Sequence, residues 1–371
     1  MGGAKTAIEN LLAGADIKIN GGRPWDIKVR DEEFYRAVLR GGSLAFGEGY
    51  MSKQWDCDAV DELIYRIFLH DLASKVRFTP ANIALYLHAL VSNSGRKGKA
   101  FEIGQKHYDI GNDLFKRMLD DRMTYTCGYW KNAKNLNEAQ EAKLDLVCRK
   151  LGLKAGQTVL DIGCGWGSFM KFAAEKYGVH VTGVTVSKEQ VDLGREMCKG
   201  LPVEFRLQDY RDIKGSFDHV VSLGMFEHVV YKNYRTYFRV VRDCLKDDGL
   251  FLLHTIGTDD PGMAVDPWIN KYIFPNGKLP MATQIDVARE KLFVMEDWHN
   301  FGADYDRTLM AWFDNFDEHW PEIAPQYSET FYRMWKFYLL SCAGSFRARN
   351  IQLWQIVFSK HGVPGGYQSV R

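Results

Sequence analysis

An α/β fold, a doubly wound parallel sheet preceded by a smaller and mainly helical domain, is what this chain predicts, and three observations predict it. Strand-like apolar segments alternate with helical ones over the carboxyl-terminal two thirds of the sequence. The first of these strands runs into a glycine turn, VLDIGCGWG at 159–167, and the helical stretch FMKFAAEKYG follows at once. Polar or acidic residues then recur where later strands end, at Thr185, Asp209 and Glu227.

The front portion reads as a helical accessory, lid or lipid-facing module. Residues 5–13 suit a short helix, Gly21-Gly22 a turn, and IKV at 27–29 a short strand. DEEFYRAVLRGG, 31–42, suits a helix begun by Asp31 and stopped by its paired glycines, with Glu48 and Gly49 in a glycine-rich turn beyond. Apolar residues return at helical spacing over 57–70, which predicts a helix packed on the previous one, and 82–90 offers another. SNSGRKGK at 92–99 has linker composition. The expected division is therefore 1–90, a linker at 91–103, and a catalytic domain at 104–371.

In that second domain a helix begins near Asn137, and the glycine turn follows. Gly163, Gly165 and Gly167 let backbone approach a ligand with no Cβ in the way. The spacing is not that of a phosphate loop, and Asp161 at its mouth would repel a pyrophosphate while favouring a cationic cofactor. Strands are expected at 179–187, 203–213, 217–229 and 250–256, with two more near 291–297 and 351–359. The second strand exits at Thr185, with Gln190 one helical turn on, where hydroxyl and amide groups can hold a ribose edge. Gln208, Asp209 and Tyr210 at the third exit suit an adenine, with polar groups at the ring edge and an aromatic face nearby. The ordered pattern from Asp161 to Glu227 reads as a class I S-adenosylmethionine-dependent methyltransferase fold.

Composition bounds the partners. A 371-residue chain with 46% hydrophobic and 26% charged residues is expected to be globular, with two domains, one dominant. A net charge of +1 gives no reason to expect nucleic acid. Seven cysteines without a close CxxC pair favour a reducing compartment, and apolar runs too short to span a bilayer leave only peripheral membrane contact. Glu227-His228 lacks the HxxH or HExxH spacing of a zinc site, so no metal is expected.

The chain resembles the cyclopropane-fatty-acyl-phospholipid synthases along nearly its whole length. The matching stretches are KHYDIGNDLF at 106–115, YTCGYW at 125–130, LDIGCGWG at 160–167, GMFEHV at 224–229, LLHTIG at 252–257 and NFGADYD at 300–306. The resemblance implies methylene transfer from S-adenosylmethionine across a cis double bond in an acyl chain of an intact membrane phospholipid, with bound bicarbonate as the base. It implies a bicarbonate cage at Cys127, Glu227, His254, Ile256 and Tyr305. It also implies cofactor contacts at Tyr108, along Asp161, Gly163, Cys164 and Gly165, at Thr185 and Gln190, and around Gln208, Asp209 and Tyr210.

The chemistry asks for such a set. Methyl transfer to an alkene leaves a carbocation that water would trap, so the site must be dry, and Phe226, Tyr272, Phe274 and Tyr305 are candidate aromatic walls. A small anion held by His254, Tyr305 and the amides of Ile256 and Cys127 could then remove the proton and offset the charge. Without the resemblance, His254 in LFLLHTI would read as a core histidine and Cys127 as a small buried hydrophobe. The aromatic run at 330–349 is expected as a core helix against the sheet, with an interfacial helix as the rival. A homodimer on the bilayer at the cytoplasmic face of the cell membrane is the expected working form. The competing readings are a lipid methyltransferase giving methyl-branched or hydroxylated chains and an inactive lipid-binding protein.

Overall fold

The computed structural model describes residues 2–72, 111–259 and 266–371. Tyr108, the segment 82–90 and the linker at 91–103 lie outside the described residues. Two compact units emerge. Within the described residues, the first takes in everything up to 72, then 266–276 and 305–351; the second takes in 111–259, 277–304 and 352–371.

The first unit is therefore larger than the amino-terminal segment expected. It holds helices Gly2–Ala13, Glu33–Met51 and Val60–Leu69, and the short antiparallel pair β1 (Lys28–Val29) and β2 (Trp55–Asp56). The paired glycines do not stop the second helix. Gly42, at φ 57 and ψ −136, kinks it, and the chain then resumes to Met51. It resumes because the second half has an aromatic face to bury: Phe46 stacks on Trp55 with ring centroids 4.2 Å apart, and Tyr50 meets the same indole at 5.1 Å. Glu48 and Gly49 are thus helical rather than part of a turn.

Helix Glu329–Arg347 is a core helix, and where a place against the sheet was expected, the partners it packs on are helices Glu33–Met51 and Val60–Leu69 of its own unit. Ser328 caps its start by accepting the Phe331 N–H at 3.1 Å. At the crossing sits Gly344, where a Cβ would lie 2.4 Å from the Asp61 carbonyl oxygen and 2.9 Å from the Tyr65 nitrogen. Arg347 ties the end of the helix to Asp61 at 2.8 Å and Asp306 at 2.9 Å. Gly344→Ala should push two backbones apart and cost about 1–3 kcal/mol. A lowered thermal midpoint measures it.

The second unit is a seven-stranded sheet in the order β5-β4-β3-β6-β7-β9-β8. Its strands are β3 (Thr158–Ile162), β4 (His180–Thr185), β5 (Val203–Leu207), β6 (Phe217–Leu223), β7 (Leu245–Gly257), β8 (Val294–Asn300) and β9 (Gln352–Ser359). From β5 to β7 all neighbours are parallel, whereas β9 runs antiparallel to both β7 and β8. Strand alternation sends Leu160, Val220, Phe251 and Phe358 to one apolar layer and Val159, Val221, Leu252 and Val357 to the other. Burial on both faces explains why these strands read as continuous apolar runs. Helix Leu136–Leu151 begins where the Asn135 side chain accepts the Glu138 N–H at 2.9 Å, and it ends at Gly152 with φ 62.

The chain leaves β3 for β4 on one side, and β6 lies on the other. The crevice outside the carboxyl ends of β3 and β6 is thus the switch point at which such sheets bind ligands. No described helix is long and apolar enough to cross a membrane.

Candidate active site

At that switch point β3 delivers Asp161 and then the glycine turn. Gly163 (φ 85) and Gly167 (φ 87) are needed for close packing as well as for their backbone angles. A Cβ on Gly163 would lie 2.5 Å from that of Met225, and one on Gly167 would lie 2.4 Å from the Phe205 ring. Gly165 differs: at φ 55 its missing Cβ would point into open space. The N–H groups of Gly163 and Cys164 donate to the Val184 carbonyl at 2.9 and 3.1 Å, fastening the turn to β4. The Cys164 thiol faces inward against Gly183 and Met170 rather than outward. Gly163→Ala should weaken cofactor binding at least about tenfold, since the strained φ and the Met225 contact both displace the turn. Equilibrium dialysis with the cofactor checks it.

Asp161 is 2% exposed and its Oδ1 has no hydrogen-bond partner. Burial pushes its carboxyl up to about 7, with Lys143 acting in the opposite sense. Lys143 is itself fully buried, brought down to about 8 by desolvation, and it donates to Thr126 Oγ1 at 2.7 Å. A buried carboxylate oxygen with no partner beside an open glycine is a fit for the cationic amino-acid portion of S-adenosylmethionine.

The other candidate cofactor residues divide. Thr185 and Gln190 come together, with the Thr185 hydroxyl donating to Gln190 Oε1 at 2.7 Å. Gln208 joins them through its N–H, which donates to the Thr185 carbonyl at 2.9 Å. The Asp209 carboxylate, expected at an adenine edge, is engaged by Arg211 Nε at 2.8 Å and Nη2 at 2.7 Å. Tyr210 packs edge-on against Tyr237 at 5.3 Å.

Glu227 sits in the 3-10 turn Phe226–His228 that follows β6. Its Oε1 accepts the Ile256 N–H at 2.7 Å, while Oε2 is buried without a hydrogen-bond partner. Burial pushes the carboxyl up to about 7 against the pull of that N–H, of its own backbone N–H and of the Thr255 hydroxyl. The Ile256 amide, expected to face bicarbonate directly, is thus committed to Glu227. His254, 1% exposed on β7, lies 3.2 Å through Nδ1 from Gln355 Nε2, and its own Nε2 is without a partner. Desolvation, reinforced by Lys143 and Lys150, holds it far below the usual imidazole range, so it is neutral.

Cys127 is buried, and its thiol donates to the adjacent Gly128 carbonyl at 3.1 Å. Its segment is held by Gln140 Nε2, which donates to the Thr126 carbonyl at 2.7 Å, and by Asp304, which accepts the Trp130 N–H at 2.7 Å. A Cβ on Gly224 would lie 2.6 Å from Thr126 Cγ2, so this segment abuts the loop that carries Glu227. Tyr305 belongs to the first unit, where it stacks on Phe346 at 4.4 Å. Of the candidate aromatic walls, Phe226 is in the core against Tyr234 and Tyr237, whereas Tyr272 donates to Glu48 and Phe274 meets Tyr338 edge-on in the first unit.

Lys143 and Gln355, both buried, escaped sequence reasoning. Lys143 lies on the inward face of its helix with Ala139 and Val147, and Gln355 interrupts the apolar run of β9. A charge or amide on a buried stripe was the available signal in each case.

Comparison with known proteins completes the picture. Residues 95–356 match the family described as mycolic acid cyclopropane synthetase. The chain is 53% identical over 361 residues to the cyclopropane-fatty-acyl-phospholipid synthase of Escherichia coli K12, covering 97% of this chain and 94% of that one. Among solved structures, the cyclopropane synthase MmaA2 of Mycobacterium tuberculosis superposes with a TM-score of 0.67 at 33% identity, covering 70% of this chain and 98% of that one. The mycolic acid cyclopropane synthase CmaA1, complexed with SAH and CTAB, does so with a TM-score of 0.65 at 32% identity, over 70% and 98%. With one sheet order, one glycine turn and this extent of identity, the chain belongs to the family of cyclopropane-fatty-acyl-phospholipid and mycolic acid cyclopropane synthases.

Proposed function

We propose that this S-adenosylmethionine-dependent enzyme adds a methylene group across the cis double bond of unsaturated acyl chains in membrane phospholipids, with bicarbonate as the base that closes the ring. The observation that carries the reading is a row of unpartnered buried polar atoms: Asp161 Oδ1 at the end of β3, Glu227 Oε2 beyond β6 and His254 Nε2 on β7. Such groups cost about 1–3 kcal/mol each unless a ligand satisfies them. When bound, S-adenosylmethionine supplies an electrophilic methyl group. Asp161 holds the cationic end of that molecule, and Thr185, Gln190 and Gln208 offer hydroxyl and amide groups at the next two strand ends.

The alkene gains carbon and becomes cationic, so what the chain must provide is a dry wall and a held anion. Neutral His254 donates through Nε2 without bringing a competing positive charge. Glu227, ionised above about pH 7 and anchored by the Ile256 amide, can then take the acid proton of bicarbonate as that anion accepts one from the new methyl group. Tyr305 is proposed as a further donor on the strength of the FGADY segment. Work at the bilayer surface, from the cytoplasmic face and as a homodimer, completes the proposal: an acyl chain must come to a protein whose described helices do not span the membrane.

The test is incubation of the full chain with vesicles of unsaturated phospholipid, cofactor and controlled bicarbonate, followed by mass and proton-coupling analysis. Cyclopropane products that scale with bicarbonate support the reading. Methyl-branched or hydroxylated products, or turnover indifferent to the anion, overturn it.

A further inference from the structure

We propose that Gln355 is a positioning residue that fixes the tautomer of His254, so that Nε2 presents a proton, and not a lone pair, to the anion. The inference rests on the reading of His254 as an anion donor.

His254 on β7 and Gln355 on β9 are directly paired across the antiparallel ladder, so their side chains stand on one face of the sheet. Both are buried, at 1% and 0% exposure. Their one mutual contact runs between His254 Nδ1 and Gln355 Nε2 at 3.2 Å. With the amide nitrogen turned toward the ring, Nδ1 accepts, and the single proton of a neutral imidazole then resides on Nε2. That atom and Gln355 Oε1 are the two of this pair left without a protein partner. The opposite tautomer would aim a lone pair at the anion and repel it.

The surroundings oppose a second proton on the ring. Lys143 and Lys150 both act against a charge on His254, and the Phe301 ring lies edge-on at 5.9 Å. Gln355 is also paired on its far side with His299 of β8. Lys150 Nζ lies 3.1 Å from His299 Nδ1 and 3.8 Å from Asp297, which Arg371 also engages at 2.6 Å. Arg371 holds the fixed positive charge in this layer, burial brings the Lys150 amine down to about 7, and burial keeps both imidazoles neutral. An amide is the neutral side chain that can orient the ring without adding a charge, whereas a carboxylate would draw the proton to Nδ1.

The test compares the wild-type full chain with Gln355→Glu and Gln355→Met by nitrogen NMR of labelled histidine and by turnover on phospholipid vesicles at varied bicarbonate. The wild type should show the Nε2–H form. Gln355→Glu should move the proton to Nδ1, where the carboxylate accepts it. Gln355→Met, close in shape and without a donor, should yield a mixture. The bicarbonate KM should rise about tenfold to hundredfold in Gln355→Glu and about twofold in Gln355→Met, as the Nε2–H fraction falls, with the KM for S-adenosylmethionine unchanged. Cofactor binding by both variants reports that the fold is intact; if one fails to bind, the other and the wild-type spectrum still decide.

An Nδ1–H form in the wild type, or variants that keep the wild-type tautomer or its bicarbonate KM, overturns the inference. If wild-type turnover is indifferent to bicarbonate, the donor reading of His254 fails instead, and the spectra still report whether Gln355 sets the tautomer.

Discussion

Glu227→Gln should lower ring-forming turnover by about a hundredfold to a thousandfold while the cofactor Kd stays within about threefold. Glutamine keeps the shape and can still accept the Ile256 N–H through its Oε1, so the turn between Phe226 and His228 is retained. What changes is the second oxygen: an amide N–H replaces the buried Oε2, removing the group able to take a proton from bicarbonate. The pH dependence separates this role from a structural one. With its carboxyl pushed up to about 7, Glu227 is protonated on the acid side, so wild-type turnover at saturating cofactor should fall as pH drops below about 7. The variant should be slow and lack that limb. Because the folded pKa exceeds the unfolded one, the carboxyl favours folding below about pH 4 and that contribution is lost as pH rises toward 7. At pH 8 the variant should therefore unfold no more readily than wild type. Product mass analysis beside a thermal melt reads both quantities, and turnover equal to wild type would remove Glu227 from the proton path.

The sheet and the glycine turn were legible because each rests on a local pattern. Seven strands showed as apolar runs, and the turn showed as glycines following Asp161. The first unit was harder, because its boundary depends on distant partners. Helix Glu329–Arg347 has the composition of any core helix, and nothing local says that Gly344 must meet the Asp61 backbone. The paired glycines misled for the same reason: Gly42 does adopt a helix-breaking conformation, but Phe46 and Tyr50 find Trp55 beyond it. In the site, residue types were readable and their commitments were not. Asp209 looked available until Arg211 was placed on it, and the Ile256 amide looked available until Glu227 took it. Gln355 acquires its role only from strand pairing, which brings together residues 101 positions apart.

Asp161→Asn should raise the S-adenosylmethionine Kd by about a hundredfold or more, because truncating one charge of a desolvated pair costs about 2–5 kcal/mol. The ligand-free protein should respond in the opposite sense. Above pH 7 wild type carries a buried carboxylate oxygen with no hydrogen-bond partner, offset by the field of Lys143, and asparagine removes that charge. The sign follows from linkage: a folded pKa of about 7 above an ordinary aspartate value means stability present below about pH 4 and lost as pH climbs to 7. The variant should flatten that part of the slope, and at pH 8 its ligand-free melting temperature should equal or exceed that of wild type while the cofactor-induced rise nearly disappears. Comparing S-adenosylmethionine with S-adenosylhomocysteine then locates the contact. Equal losses place Asp161 against the amino group that both carry, whereas a larger loss for the sulfonium places it against the methyl-bearing centre. An unchanged Kd for both would mean that the carboxylate is buried for some purpose other than holding the cofactor, and the reading of the glycine turn would fall with it.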